Sequence, residues 1–312
     1  MPRGSEHRRI GRTPVQRGVL DTNIARKLGY PGDVDHDDVL AGLRALKRAG
    51  FSLHLADGAV LELIGQLHER RLAWPDWIRA RSHLRVLLCA QDPIMLGGWE
   101  VLVEAGILPP DGRQLPDDMH KTLRLGWKIL SKARTLTEID KPRPVVIGGK
   151  RTLLANRARR ANELVQQEQH SWVDGIDELY EEATSKNVSQ MGISDVDDLV
   201  RVAGANFDSK APSTHGPKTS VRLDAMLRVY AHFCRLRLGR KPYNPSKRAN
   251  DVFDYDLLRH LALPALICTC DVKTLVTAVD QSGTWQRRWV LGPSELHNLA
   301  HGGSPPDMNW PP

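Results

Sequence analysis

Two periods of apolar residues alternate along this chain. Near its start the short apolar run Gly18-Val19-Leu20 ends at Asp21-Thr22-Asn23. Residues 36–49 then place Val39, Leu43 and Leu46 at helical spacing, and Gly50 closes the run, which predicts a helix. Phe51, Leu53 and Leu55 alternate with Ser52 and His54, the period of a strand. Asp57-Gly58 turns the chain into an apolar helix over 59–72. Strand, helix, strand, helix is the order of an α/β fold with a parallel sheet flanked by helices.

The middle of the chain has a different character. From about Trp74 to about Ser220, helical patterns dominate, at 77–90, 117–133 and 151–183. Loops rich in Pro and Gly (109–116, 141–150 and 210–218) separate them, and Pro144-Val145-Val146-Ile147 suits a short strand. The α/β pattern resumes with an amphipathic helix over 221–238 that carries Arg222, Arg228, Arg235 and Arg237. A further helix follows over 250–262, with Asn250 or Asp251 suited to its N-cap. Pro264 precedes a buried-type strand, Ala265-Leu266-Ile267-Cys268-Thr269-Cys270-Asp271, and Val290-Leu291 suits an edge strand. The predicted organisation is a discontinuous core, 17–74 plus 220–292, with a mainly helical insertion over 75–219. Residues 1–16 and 293–312 read as flexible tails, and no internal repeat is present.

Charge adds a direction to this outline. Lys and Arg number 44 against 37 Asp and Glu, a net charge of +7, which favours an acidic partner such as nucleic acid. No apolar run reaches the roughly 18–20 residues of a membrane helix, and none follows the basic start, so a cytoplasmic protein without a membrane partner is expected. Of the four cysteines only Cys268 and Cys270 are close in sequence, inside an apolar run. Without a second Cys or His pair to complete a zinc site, they read as core thiols.

The acidic residues carry the chemistry. Asp21 and Asp271 each follow a predicted strand, where the functional crevice of an open parallel sheet lies. Asp251 and Asp254 share a face near the start of one helix, and Glu62 lies in the first turns of another. Taken singly, each has a plain structural reading. An Asp after a strand is commonly a turn former or cap, and Glu62 lies roughly opposite the apolar face of Val60, Ile64 and Leu67, as a solvated charge would. Taken together, four such groups would repel unless cations neutralised them, and their hard oxygens suit Mg²⁺ or Mn²⁺.

The order of these motifs resembles the PIN-domain ribonucleases. The resemblance rests on Asp21-Thr22-Asn23 after the first strand, Glu62 after the second, the acidic start Asn250-Asp251-Val252-Phe253-Asp254 of a late helix, and Thr269-Cys270-Asp271 closing a strand. It covers about 17–70 and 220–292, and implies a PIN-like (Rossmannoid) sheet and a metal-dependent endoribonuclease. Asp21, Glu62, Asp254 and Asp271 would then be the catalytic and metal-holding acids. Asp254 lies at the family's usual distance before the last acid; Asp251 is the runner-up or an additional ligand, and Asp256 ranks behind both. Thr22, Asn23 and Thr269 are supporting residues, and Lys247, Arg248, Arg222 and Arg228 are candidates for gripping the backbone of RNA or single-stranded DNA. The gap from Glu62 to Asp254 is far longer than in compact members, leaving the insertion as a substrate platform, a lid, or a surface for an inhibitor or other protein partner. The rival reading keeps the fold without catalysis, as a nucleic-acid or protein-binding scaffold. A phosphohydrolase of another class lacks support, because no D-x-D-x-T or phosphate-binding glycine motif follows a strand.

Overall fold

The structure is a computed structural model, and it describes residues 16–95, 117–147, 150–154, 217–238, 254, 257–263 and 265–308. In chain order, β1 is Arg17–Leu20, α1 Thr22–Lys27, α2 His36–Arg48, β2 Ser52–Ala56, α3 Asp57–His68, α4 Trp74–Leu87 and β3 Ile94–Met95. Next come α5 Asp117–Lys132, α6 Leu136–Asp140, β4 Pro144–Ile147, β5 Lys150–Leu153 and α7 Pro217–Leu238. The last part holds β6 Ala265–Cys268, α8 Thr277–Ser282, β7 Val290–Leu291 and α9 Pro293–Ala300. A 3-10 turn over Arg259–Ala262 leads to β6, and a π-helical turn over Val272–Val276 follows it.

The main sheet has five strands in the order β3-β2-β1-β6-β7, all parallel. β1 lies in the middle, with Leu20 facing Leu55 of β2 on one side and Cys268 of β6 on the other. Gly18, Val19 and Leu20 are buried in succession, as are all four residues of β6, so both faces of the sheet are covered. This cover corrects the simple alternation read at 51–56. His54 is buried with Leu53 and Leu55, and its Nδ1 donates to the Asp92 carbonyl at 2.6 Å. Burial lowers its pKa, which keeps the imidazole neutral.

The helix predicted over 36–49 is α2, and Gly50 adopts the left-handed φ of 94° just beyond its end. α9 lies against α2, and the closeness of the two is set by Gly42: a Cβ there would stand 2.3 Å from the Leu296 carbonyl oxygen. The segment read as a tail from 293 is therefore structured in its first part. Leu296 and Leu299 are buried, and the Trp289 indole donates to the Asp307 carbonyl at 2.9 Å, anchoring the chain that follows α9.

The stretch read as mainly helical holds three strands among the described residues. β3 adds to the main sheet beside β2, while β4 and β5 form an antiparallel pair. Residues 151–153 thus lie in a strand rather than at the start of the expected helix. Pro144–Ile147 is the strand the pattern suggested, and Arg151 and Thr152 pair with it. α5 packs on α3, where a Cβ on Gly126 would come within 3.0 Å of Val60, and the buried Trp77 indole of α4 donates to the Leu130 carbonyl at 3.2 Å. Among the described residues of this segment, α5 and α6 therefore brace the helix that carries Glu62. Among the described residues no helix is long and apolar enough to cross a membrane.

Replacing Gly42 with Val forces a side chain into the backbone of α9. We expect a loss of about 1–3 kcal/mol in stability, as for other overpacked contacts, read by urea denaturation. A variant as stable as the natural chain would show that the two helices do not meet this closely.

Candidate metal centre

After β1 the chain goes to β2 and β3 on one side; it later returns through β6 and β7 on the other. The strand order reverses at β1, and the crevice beyond the carboxyl ends of the strands at such a point is the usual ligand position in parallel sheets. Asp21 is the first residue past β1. Its backbone N–H donates to the Cys268 carbonyl at 3.0 Å, so it stays in line with the sheet, and the residue is only 7% exposed. Thr269, next after β6, is held likewise by its N–H on the Leu291 carbonyl at 3.0 Å.

These two ladders set the side chains side by side. The Thr269 hydroxyl donates to Asp21 Oδ2 at 2.8 Å, although 248 positions separate the two residues. The same hydroxyl accepts the Asp271 backbone N–H at 3.0 Å. Asn23 Nδ2 also donates to Asp21 Oδ2, at 3.2 Å. Asp271 accepts the Thr274 N–H on Oδ1 at 3.1 Å and so caps the π-helical turn, a departure from regular helix common at functional sites. The plain capping reading of Asp271 is correct as far as it goes, and the same residue presses its charge on Asp21.

Glu62 arrives from α3. That helix is buried on most sides, from Gly58 to Leu61 and again at Leu63, Ile64, Gln66 and Leu67, so Glu62 does not sit on a solvated face. The buried Gln66, one turn on, donates through Nε2 to Glu62 Oε1 at 2.8 Å. The Thr22 side chain hydrogen-bonds to Glu62 as well, linking α3 to the residue beside Asp21.

The electrostatics follow from this crowding. Burial pushes the Asp21 carboxyl above the usual range, against hydrogen bonds from Thr269, the Thr22 backbone and Asn23; the charge of Asp271 pushes it further. Burial likewise raises Glu62. The Thr22 bond opposes this, Asp21 adds to it, and the positive charges of Arg26 and Arg71 relieve it in part. Such a group gains from a proton or from a cation, and three carboxylates with neighbouring hydroxyl and amide oxygens are hard donors of the kind Mg²⁺ and Mn²⁺ take. Close by, Lys27 binds Asp33 at 2.6 Å and Asp35 at 3.2 Å, which neutralises much of a second acidic group near Cys270. Burial raises the Cys268 thiol and pushes Cys270 up to about 12, so both remain protonated thiols as a core role requires.

Asp21 is thus linked to Asp271 through Thr269 and to Glu62 through Thr22, with Asn23 beside it, while the three acids do not bring one oxygen each within 4.8 Å of the other two. Asp254 lies in helical backbone and is half-buried, just ahead of the segment that leads to β6. Asp251, Lys247 and Arg248 lie outside the described residues. Arg222 and Arg228 are half-buried on α7 rather than fanned into solvent, and burial lowers the pKa of Arg222. The sequence reading passed over Gln66 and Arg26. Gln66 stands four positions after Glu62 and Arg26 four after Thr22, a spacing that puts each pair on one helix face.

These features define an α/β protein with a buried carboxylate group at the switch point of a parallel sheet. No protein-family model matches the chain, and no curated protein or solved structure matches it.

A pH dependence follows. A carboxyl whose pKa is raised in the folded state binds more protons there than when unfolded, so its contribution to stability falls as pH rises from the usual carboxylate range near 4 through the raised value. Free of divalent cations, Asp21→Asn should therefore melt above the natural chain at pH 7, and the gap should close toward pH 4. Calorimetry at both pH values checks this; a variant that melts lower at pH 7 would mean that the carboxylate charge is not under strain.

Proposed function

We propose that this chain is a PIN-like, metal-dependent nuclease that hydrolyses the phosphodiester bonds of RNA. One observation carries the reading: a single hydroxyl, Thr269 Oγ1, bridges Asp21 and the backbone of Asp271 across 248 and two positions of sequence. A turn-forming Asp needs no such bridge, and evenly spread surface acids do not converge on the carboxyl edge of a sheet. The order of the acids along the chain adds the resemblance already drawn. The net charge of +7 suits a polyanionic substrate.

Asp21, Glu62 and Asp271, with Asp254 as the fourth acid by resemblance, would hold Mg²⁺ or Mn²⁺. Bound there, the cation supplies Lewis-acid polarisation of a phosphate oxygen and lowers the pKa of water. The protein's own part is to keep oxygens in place before substrate arrives. Thr269 and Asn23 fix the Asp21 carboxylate, and Gln66 and Thr22 fix Glu62, so little ordering remains to be done on binding. Arg26 is the cation best suited to meet the scissile phosphate. Its charge already bears on Glu62, and its Nε is buried with no hydrogen-bond partner among the described residues.

Purified protein with Mn²⁺ should cleave RNA, and single-stranded DNA more slowly if at all. Asp21→Asn and Asp271→Asn should each lower kcat/KM by roughly 100-fold or more, at or above the 10–100-fold range for losing an outer partner of a metal ligand. Thr269→Val should fall within that range. Arg26→Ala should raise KM more than it lowers kcat. Cleavage by Asp21→Asn at the natural rate, or none by the natural chain with Mn²⁺, would leave the noncatalytic scaffold as the better account.

A further inference from the structure

A second group of potential ligands lies outside the carboxylate crevice. His297 and His301 stand four positions apart on and just beyond α9, the spacing at which one helical face offers two imidazoles to one ion. Asp38 reaches the same place from the first turn of α2. One donor atom from each of the three lies within 4.8 Å of the other two.

The local bonding already orients the rings. His297 Nδ1 lies 2.7 Å from Asp38 Oδ2, and His301 Nδ1 lies 2.9 Å from the His297 carbonyl. A carbonyl only accepts, so His301 Nδ1 carries the proton and its Nε2 keeps the lone pair. The two rings sit 4.2 Å apart at centroids and are tilted by 36°, so one ion can lie within reach of both. A shared cation takes imidazole lone pairs from both rings and uses the carboxylate as well. The side chains are open to solvent, His297 at 58% and Asp38 at 33% exposure, so an ion can reach them without any opening of the fold.

We propose that Asp38, His297 and His301 form a binding site for a divalent transition metal of the zinc type, which clamps α9 to α2. Two imidazoles and one carboxylate suit Zn²⁺, or Co²⁺ in its place, far better than Mg²⁺. In a tetrahedral site with bonds of about 2.0–2.1 Å, ligand atoms stand about 3.3 Å apart. Small rotations of exposed side chains close the present arrangement to that spacing, and the fourth position falls to water. The helices themselves need not move, because the contact of Gly42 with the Leu296 backbone already presses them together. The clamp joins the helix that precedes β2 to the helix that follows β7, two strands that lie on opposite sides of β1 in the sheet order.

The full chain, cleared of metal with a chelator, can be titrated with Zn²⁺ by calorimetry and with Co²⁺ by visible absorption. The expected result is saturable binding that His297→Ala and His301→Ala each weaken by at least about tenfold, together with loss of the Co²⁺ absorption band. Zn²⁺ should raise the melting temperature of the natural chain and leave that of His301→Ala unchanged. Asp21→Asn run in parallel should keep this binding, which separates the site from the carboxylate crevice. No saturable Zn²⁺ binding, or binding that both histidine variants retain in full, overturns the proposal.

Discussion

Negative charge buried at the end of the central strand is the constraint on which the rest of the structure turns. Asp21 belongs to the sheet by its backbone and to the crevice by its side chain, and water reaches it poorly. A buried carboxylate is costly unless hydrogen bonds and opposite charge compensate it. Thr269 and Asn23 supply the hydrogen bonds, while Asp271 and Glu62 worsen the charge balance. An arrangement that serves stability alone would not bring further acids to this point. The proposed cation would offset this excess of negative charge.

Parallel strand order is what makes the crowding possible. Because β1 pairs with β2 on one side and β6 on the other, residues just past all three strands face a common edge. Two short backbone extensions, at Asp21 and Thr269, then bring the hydroxyl and the carboxylate to hydrogen-bond distance. Glu62 needs a third support. α3 is packed between its own strand layer and α5, and Gln66 holds the carboxylate from one turn away. The described part of the middle segment therefore contributes to the geometry of the crevice, through α4 and α5, whatever else it does.

Two groups of donors on one chain differ in chemical character. The crevice offers carboxylates and hydroxyls in a buried setting, donors of the kind a hard cation takes. The α2–α9 surface offers imidazoles with one carboxylate in an open setting, suited to a softer ion with a structural part to play. They share no residue, so a substitution in one leaves the donors of the other in place.

Local pattern determined a good deal on its own. The runs at 18–20, 36–49, 221–238 and 290–291 became the elements they predict; 51–56 became a strand although its alternation does not match its burial, and the strand read over 265–271 ends at Cys268. The order of the acids also stood plain in the chain. Tertiary packing decided the rest. β3 and β5 are too short, or too polar, to show a period, and they exist only because a neighbouring strand offers its free edge. α9 looked like the start of a tail because its apolar positions, Leu296 and Leu299, gain meaning only against α2. The same holds for the environment of Glu62: helical spacing put it opposite one apolar face, and the approach of α1 and α5 to α3 closed the other sides. Periodicity reports which residues share a face. Which faces are covered, and which distant side chains meet there, depends on contacts between segments that no local window contains.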